Sequence, residues 1–339
     1  MIPAEKTRNL LAMLQDVNTV LIVLQDNPDP DAIASAAALR CLANLTADAQ
    51  CSIASGGTVG RAENRAMVDY LDLNLREMAG IDFTRFDLVA MVDTQPGTGN
   101  NSLPVDVLPD IVIDHHPVNR LTRSCPFTDI RSKYGATSTM MYEHLCAAEI
   151  GINVQLATAL LYGIRSDTQN LGRETLQADI DAFLALYPTA NKRVLSRIER
   201  GQVPTVYFRM LNNALDNSRI YDKCIVTSLG EIDNPDMIGE MADLFLRHED
   251  CSWTMCYGFR DGHVFLSLRT SDPEANAGKA ARRIVGRKGA GGGHGAMAAG
   301  RIPLKGDTAS ERSRVSRTIV KRFLRAIGTP DAAGKKLVP

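Results

Sequence analysis

Three short apolar runs in the first half of the chain each end in acids, and this repeated pattern constrains the fold more than any other feature. Residues 19–24 run into Asp26, Asp29 and Asp31. Residues 86–92 run into Asp93, and residues 111–113 run into Asp114, His115 and His116. Continuous β-branched runs of this length read as strands of a parallel sheet buried on both faces. Helical patterns lie between them, an Ala/Leu-rich one over 31–45 and another over 61–71. Strands alternating with helices imply βαβ units. Such sheets bind ligands outside the carboxyl ends of their strands, and that is where these acids fall.

Further helices are expected over 137–150, 154–164, 175–187 and 191–200. A linker follows over 201–221, with room for a helix at 205–218. The pattern then restarts: a strand at 224–229, a helix at 235–248, and strands at 253–259 and 263–268 joined by the hairpin signal Asp261-Gly262. A basic helix over 276–287 leads into the glycine-rich segment 289–300, and an amphipathic helix covers 309–327. The expected organisation is α/β throughout: a parallel-sheet domain over 1–200 and a smaller α/β domain over 222–339.

Length and composition agree. A chain of 339 residues, 45% hydrophobic, suits two domains and excludes a disordered or collagen-like polymer. No run approaches the roughly 18 apolar residues of a membrane span, and the opening twenty residues are too interrupted by charge for a signal peptide. Seven scattered cysteines without a CxxC pair fit neither a disulfide framework nor a zinc knuckle. The expectation is a soluble, cytoplasmic protein without a membrane partner.

The net charge of −1 hides an asymmetry: residues 271–339 carry 15 Lys+Arg and 5 Asp+Glu, against 23 and 34 in residues 1–270. An acidic body could hold cations and a basic end an anionic ligand. Most of the C-terminal charges read more simply as the solvated face of a helix.

Asp29 and Asp31 would face one site if their backbone were extended, although a turn suits both and Asp31 could be an N-cap. Asp93 follows a strand directly. Asp114, His115 and His116 set two imidazoles behind an acid, a donor mixture that suits Mn²⁺, Zn²⁺ or Fe²⁺ better than Ca²⁺. Asp167 adds an acid beyond a helix. These acids would repel one another strongly in one crevice, and bound divalent metals would relieve that repulsion. A carboxylate bridging two metals about 3.5–4 Å apart is a scaffold for in-line attack on phosphorus. In the second half, Gly291, Gly292, Gly293 and His294 could close backbone amides on an anion, or form a flexible loop. Arg269, at a strand end, is better placed to reach a phosphate than Lys279, Arg282 or Arg283. His144, His248 and His263 read as structural or surface residues.

The ordered set Asn27-Pro28-Asp29-x-Asp31-Ala32-Ile33-x-Ser35, Asp93, Asp114-His115-His116, Asp167 and Gly291-Gly292-Gly293-His294 resembles the DHH phosphoesterases with their DHH-associated C-terminal domain. The length looks most like the nanoRNA phosphodiesterase and pAp-phosphatase branch rather than the RecJ-type exonucleases, which usually carry extra modules. The Lys/Arg-rich C-terminal motif of manganese pyrophosphatases is not found. The resemblance implies a hydrolase of very short oligoribonucleotides or pAp-type nucleotides, using attack of a bound hydroxide between two divalent ions, Mn²⁺ foremost. The active site would lie in a cleft between the two domains. It implies Asp29, Asp93 and the position of Gln25 around one ion, and Asp31, Asp93, His115 and Asp167 around the other. Asp114 would support them and His116 would face the substrate phosphate. Arg269 and Gly291 to His294 would hold a terminal phosphate. Long duplex DNA is not an expected partner; a homodimer is compatible. Gln25 departs from the branch, which usually has a histidine there, and an amide oxygen is a poorer ligand for a transition metal. Two alternatives stay open: a cyclic or linear dinucleotide phosphodiesterase, and a nucleotide-binding protein whose catalysis is impaired through Gln25.

Overall fold

A computed structural model describes residues 4–172 and 175–338. The chain divides into two units, Met1–Gln202 and Val203–Pro339. The first opens with α1 (Ala4–Leu14), β1 (Thr19–Val23), α2 (Pro30–Ala47), β2 (Gln50–Ser55), α3 (Ala62–Tyr70) and β3 (Leu75–Glu77). It continues through β4 (Leu88–Val92), β5 (Ile111–Asp114), β6 (Phe127–Ile130), α4 (Thr137–Ala147), α5 (Val154–Asp167), α6 (Gln177–Leu186) and α7 (Lys192–Glu199). The strands form one parallel sheet in the order β3-β2-β1-β4-β5-β6. That order reverses between β1 and β4, the switch point at which such sheets open a crevice beyond their carboxyl ends.

Burial explains why the apolar runs lack alternation. Val20, Ile22, Ala90, Val92, Ile111 and Ile113 enter the larger core with α2, α4 and α5. Their neighbours Leu21, Val23, Val89, Met91 and Val112 enter a second core with Met78, Ile81 and Leu103. Alanines along α2, buried at 32, 34, 36 and 38, let that helix lie against α4 and α5. His144 is a buried structural residue: Nε2 lies 3.1 Å from Asp129 Oδ2, and Nδ1 lies 3.1 Å from Thr7 Oγ1. Lys6 and Arg131 also hold Asp129, so this polar cluster ties α1 to β6 and α4.

The second unit contains α8 (Thr205–Asn217), β7 (Arg219–Tyr221), β8 (Cys224–Glu231), α9 (Asp236–Phe245), β9 (Trp253–Arg260) and β10 (His263–Thr270). Beyond these lie α10 (Ala277–Val285), β11 (Ala290–His294), β12 (Met297–Pro303), α11 (Ala309–Ala326) and β13 (Lys335–Lys336). Its seven strands run β11-β12-β10-β9-β8-β7-β13, antiparallel except for β8 with β9. Asp261 and Gly262 turn the β9–β10 hairpin with φ 48° and 68°, as an Asp-Gly pair favours.

Two expectations differ from the structure. Met210 and Ala214 of α8 pack with Ile225, Leu229 and Cys256, so the segment expected to link the domains is built into the second unit from Val203 onward. The glycine-rich segment is neither a loop nor a helix start; it forms the edge strand β11 and much of β12. Glycine is required there by close approach. A Cβ at Gly300 would sit 2.6 Å from Val285 Cγ1, and one at Gly293 would sit 2.3 Å from the Met297 carbonyl oxygen, at φ +140°. Among the described residues no helix is long and apolar enough to cross a membrane.

Candidate metal centre

The acids after β1 leave the strand on a helix start, not on extended chain. Asp29 is the N-cap of α2, its Oδ1 accepting from Ala32 N at 3.0 Å, with Pro30 and Asp31 already helical. Its Oδ2 accepts from Gln25 Nε2 at 2.9 Å. Asp31 is fully buried, and its two oxygens accept from the backbone amides of Thr137 and Ser138 at 2.7 Å each. Those amides begin α4, so the positive end of that helix faces the carboxylate.

Asp93 leaves β4 in the left-handed region, φ 57°, a conformation that Asp and Asn adopt more readily than other side chains. Its Oδ1 accepts from Thr137 Oγ1 at 2.9 Å, while Oδ2 is buried with no hydrogen-bond partner among the described residues. Thr137 thus knits Asp31 to Asp93. Asp114 ends β5; its Oδ1 lies 2.8 Å from His116 Nδ1 and accepts from the His116 amide at 3.1 Å. His115 sets Nδ1 3.0 Å from the Tyr134 carbonyl, which fixes the ring and turns Nε2 toward the acids. That Nε2 lies 3.2 Å from Asp167 Oδ2 and 3.6 Å from Asp93 Oδ1, yet it is not aligned for a hydrogen bond to either. Asp167 is the last residue of α5.

Gln95 is the residue that sequence reasoning passed over. It is fully buried, donates to Asp114 Oδ2 at 2.7 Å, and accepts from Asn119 N at 2.7 Å and Thr122 Oγ1 at 2.8 Å. It therefore anchors Asp114 and the chain after His116 together. Its only signal in the sequence is its place two residues after Asp93.

The side chains form two overlapping sets whose donor atoms lie within 4.8 Å of one another: Asp93, Asp114, His115 and His116, and Asp31, His115 and Asp167. Asp29 lies outside both, as do His144, His248 and His263. The electrostatics are those of a site built for cations. Burial and the Asp167 charge push Asp31 up to about 7, and burial with Asp167 also raises Asp29. Burial and the charges of Asp31, Asp29 and Asp167 raise Asp93 well above the usual carboxylate range. Burial works against the charged His115, but Asp167 and Asp31 outweigh it and push the imidazole up to about 10. Burial would raise Asp114 too, but its hydrogen bonds from His116 hold it low. Two inward-facing donor atoms without hydrogen bonds, Asp93 Oδ2 and His115 Nε2, amid mutually repelling carboxylates fit a divalent cation.

The second-unit residues are placed differently. Arg269 is buried and committed: Nε donates to Asp243 Oδ1 at 2.5 Å, and Nη1 donates to Ser267 Oγ at 2.7 Å and to the Leu268 carbonyl at 3.0 Å. Backbone register sets Arg269 and His294 in one row, each opposite Met297. Gly291, Gly292 and Gly293 lie along β11, and the His294 side chain is outside the described residues.

Comparison with known proteins agrees with this architecture. Residues 19–164 match the DHH family, N-terminal domain, and residues 222–322 match the DHHA1 domain. An uncharacterized protein of Methanocaldococcus jannaschii is 35% identical over 310 residues, 91% of this chain and 63% of that protein. A "probable manganese-dependent inorganic pyrophosphatase" of Staphylococcus saprophyticus is 25% identical over 166 residues, 49% of this chain and 53% of its own. The chain thus spans less than two thirds of either curated relative. Among solved structures, an exopolyphosphatase-related protein of Bacteroides fragilis superposes with TM-score 0.71 at 15% identity, covering 96% of this chain and 99% of that one. Exonuclease RecJ bound to manganese superposes with TM-score 0.50 at 15% identity, covering 97% and 96%. A parallel sheet with acids at its switch point, followed by a mixed sheet with a glycine edge strand, defines a two-domain α/β protein of DHH type. The chain carries the N-terminal domain of the DHH family over 19–164 and a DHHA1 domain over 222–322.

Proposed function

We propose that the chain is a phosphoester hydrolase acting on very short oligoribonucleotides or pAp-type nucleotides with two divalent cations, manganese foremost. The observation that carries this reading is the buried pair Asp93 Oδ2 and His115 Nε2, without hydrogen-bond partners among the described residues and ringed by carboxylates. The manganese in the name of the staphylococcal relative supports the choice of ion. Asp31, Asp93, His115 and Asp167 would hold one cation, and Asp29 and Asp93, with Gln25 beside them, the other. Bound there, the cations supply a water of lowered pKa and positive charge for the transition state. The remaining steps belong to the protein. Thr137 orients Asp93, Gln95 fixes Asp114, and Asp114 raises the His116 pKa against the effect of burial, favouring its charged form. His116, partly exposed, offers that charge to the substrate phosphate. From the second unit, Gly291 to His294 are the residues offered to a non-reacting phosphate. Arg269 joins them through the one Nη2 hydrogen left over by Asp243, Ser267 and the Leu268 carbonyl.

Turnover of pAp, pApA, cyclic di-AMP and a pentanucleotide RNA, each with Mn²⁺ and with EDTA, tests the reading. Metal-dependent release from pAp or the short RNAs is expected. Fastest release from cyclic di-AMP would move the substrate to the cyclic dinucleotides, and hydrolysis of none, or hydrolysis indifferent to EDTA, would overturn the assignment.

Gln25 yields a separate expectation. Its amide nitrogen donates to Asp29, so the side chain stabilises that carboxylate without presenting a strong ligand. Gln25→His should lower the Mn²⁺ concentration for half-maximal activity about tenfold, roughly 1.4 kcal/mol of binding. A metal titration that stays put or worsens would show that a neighbour such as Asn27 already completes the site and that the new ring crowds it.

A further inference from the structure

The exposed side of α11 is a stripe of cations that its own surroundings neutralise only in part. The helix carries six basic residues and one acid, Glu311. Arg312 is spent on Asp307 and Glu231, and Arg314 is paired with Glu311. Arg317 donates to Ser313 Oγ at 3.1 Å and Arg322 to the Ile284 carbonyl at 2.7 Å, both neutral partners. Among the described residues, Lys321 and Arg325 have no carboxylate partner. Arg314, Arg317, Lys321, Arg322 and Arg325 stand together with Thr318 on the exposed side of α11.

The arrangement costs the helix stability. Arg317 with Lys321, and Lys321 with Arg325, are like charges one turn apart, a spacing that destabilises helices. The helix dipole favours Arg325 in the last turn but not Arg314 or Arg317. At 1.5 Å per residue, Arg314 to Arg325 forms a track of roughly 16 Å on one face. Arg287 and Lys288 extend the charge sideways, because Gly286 beside them packs against the Arg322 guanidinium.

We infer that this stripe binds the phosphate backbone of single-stranded nucleic acid. A line of cations on one straight helix matches a single backbone, and it binds by displacing counterions without reading bases. An anionic membrane is the weaker match. Interfacial helices put apolar side chains into the lipid beside their cations, whereas Ile319, Phe323 and Leu324 are buried within the unit. The inference does not depend on hydrolysis, so it stands or falls separately from the proposed activity.

The test is fluorescence anisotropy of the full chain with a labelled 20-nucleotide RNA, in EDTA to prevent cleavage, across a KCl series. Five cations predict a slope of log K against log salt of about −3.5. The Arg314→Gln, Arg317→Gln, Lys321→Gln, Arg325→Gln variant should bind at least about tenfold more weakly and lose about 0.7 of slope per charge removed. An Arg→Lys variant at 314, 317 and 325 should retain the slope, which separates loss of charge from loss of structure. Wild-type slope in the glutamine variant would overturn the proposal, as would binding to phosphatidylserine vesicles with none to RNA.

Discussion

Asp93→Asn is expected to lower Mn²⁺-dependent turnover by about a thousandfold or more, ~4 kcal/mol of transition-state stabilisation. The substitution is unusually clean. Asparagine tolerates the left-handed backbone at φ 57° and can still accept from Thr137 Oγ1, so the turn after β4 should persist. What disappears is one negative charge and the Oδ2 atom that no donor satisfies. The same change should raise the stability of the metal-free chain. Burial and four neighbouring carboxylates disfavour the charged Asp93, and asparagine escapes that repulsion. Activity and stability would then move in opposite directions, which a merely damaged fold cannot produce. Steady-state kinetics with Mn²⁺ beside thermal melting in EDTA would show it. A variant within tenfold of the parent enzyme would remove Asp93 from the chemistry.

The acids were legible in the sequence because burial of the strands on both faces leaves their carboxyl ends as the first place for charge. Asp93, Asp114 and His115 were placed by that reasoning alone. For Asp29 and Asp31 the sequence leaves an extended pair and an N-cap at Asp31 both open, whereas the fold makes Asp29 the N-cap and Asp31 a first-turn acid. Thr137 and Gln95 were invisible for a different reason. Their roles depend on partners 44 and 19 positions away, and neither residue type is scarce in turns or helix starts. The glycine segment departs from the flexible-loop reading, which takes glycine as a signal of freedom. In the fold it signals confinement: β11 lies so near α10 that a Cβ at Gly278 would sit 1.9 Å from the Gly293 carbonyl oxygen. Arg269 was placed correctly at a strand end, but Asp243 on α9 could not be foreseen as its partner.

Without metal, the first unit should become less stable as pH rises from about 5 to 8. Asp31 is held up at about 7 by burial and by Asp167, above its unfolded value of 3.8. The folded chain therefore keeps a proton through that window that the unfolded chain has released, and stability falls with pH. His115 acts in the same direction. Its folded value of about 10 exceeds 6.5, so its contribution is complete below the unfolded value and is lost as pH climbs toward the folded one. A drop of about 5–10 °C in the melting temperature is expected in EDTA. Mn²⁺ should reverse the trend, because the ligands must give up those protons to bind it. Its stabilising shift should therefore be larger at pH 8 than at pH 5. Asp31→Asn isolates the carboxylate: it should flatten the metal-free curve between pH 5 and 7 while shrinking the Mn²⁺ shift at pH 8. A metal-free melting curve that is flat or rises with pH would show that these carboxylates do not repel one another in the fold. The cation would then have no electrostatic deficit to fill.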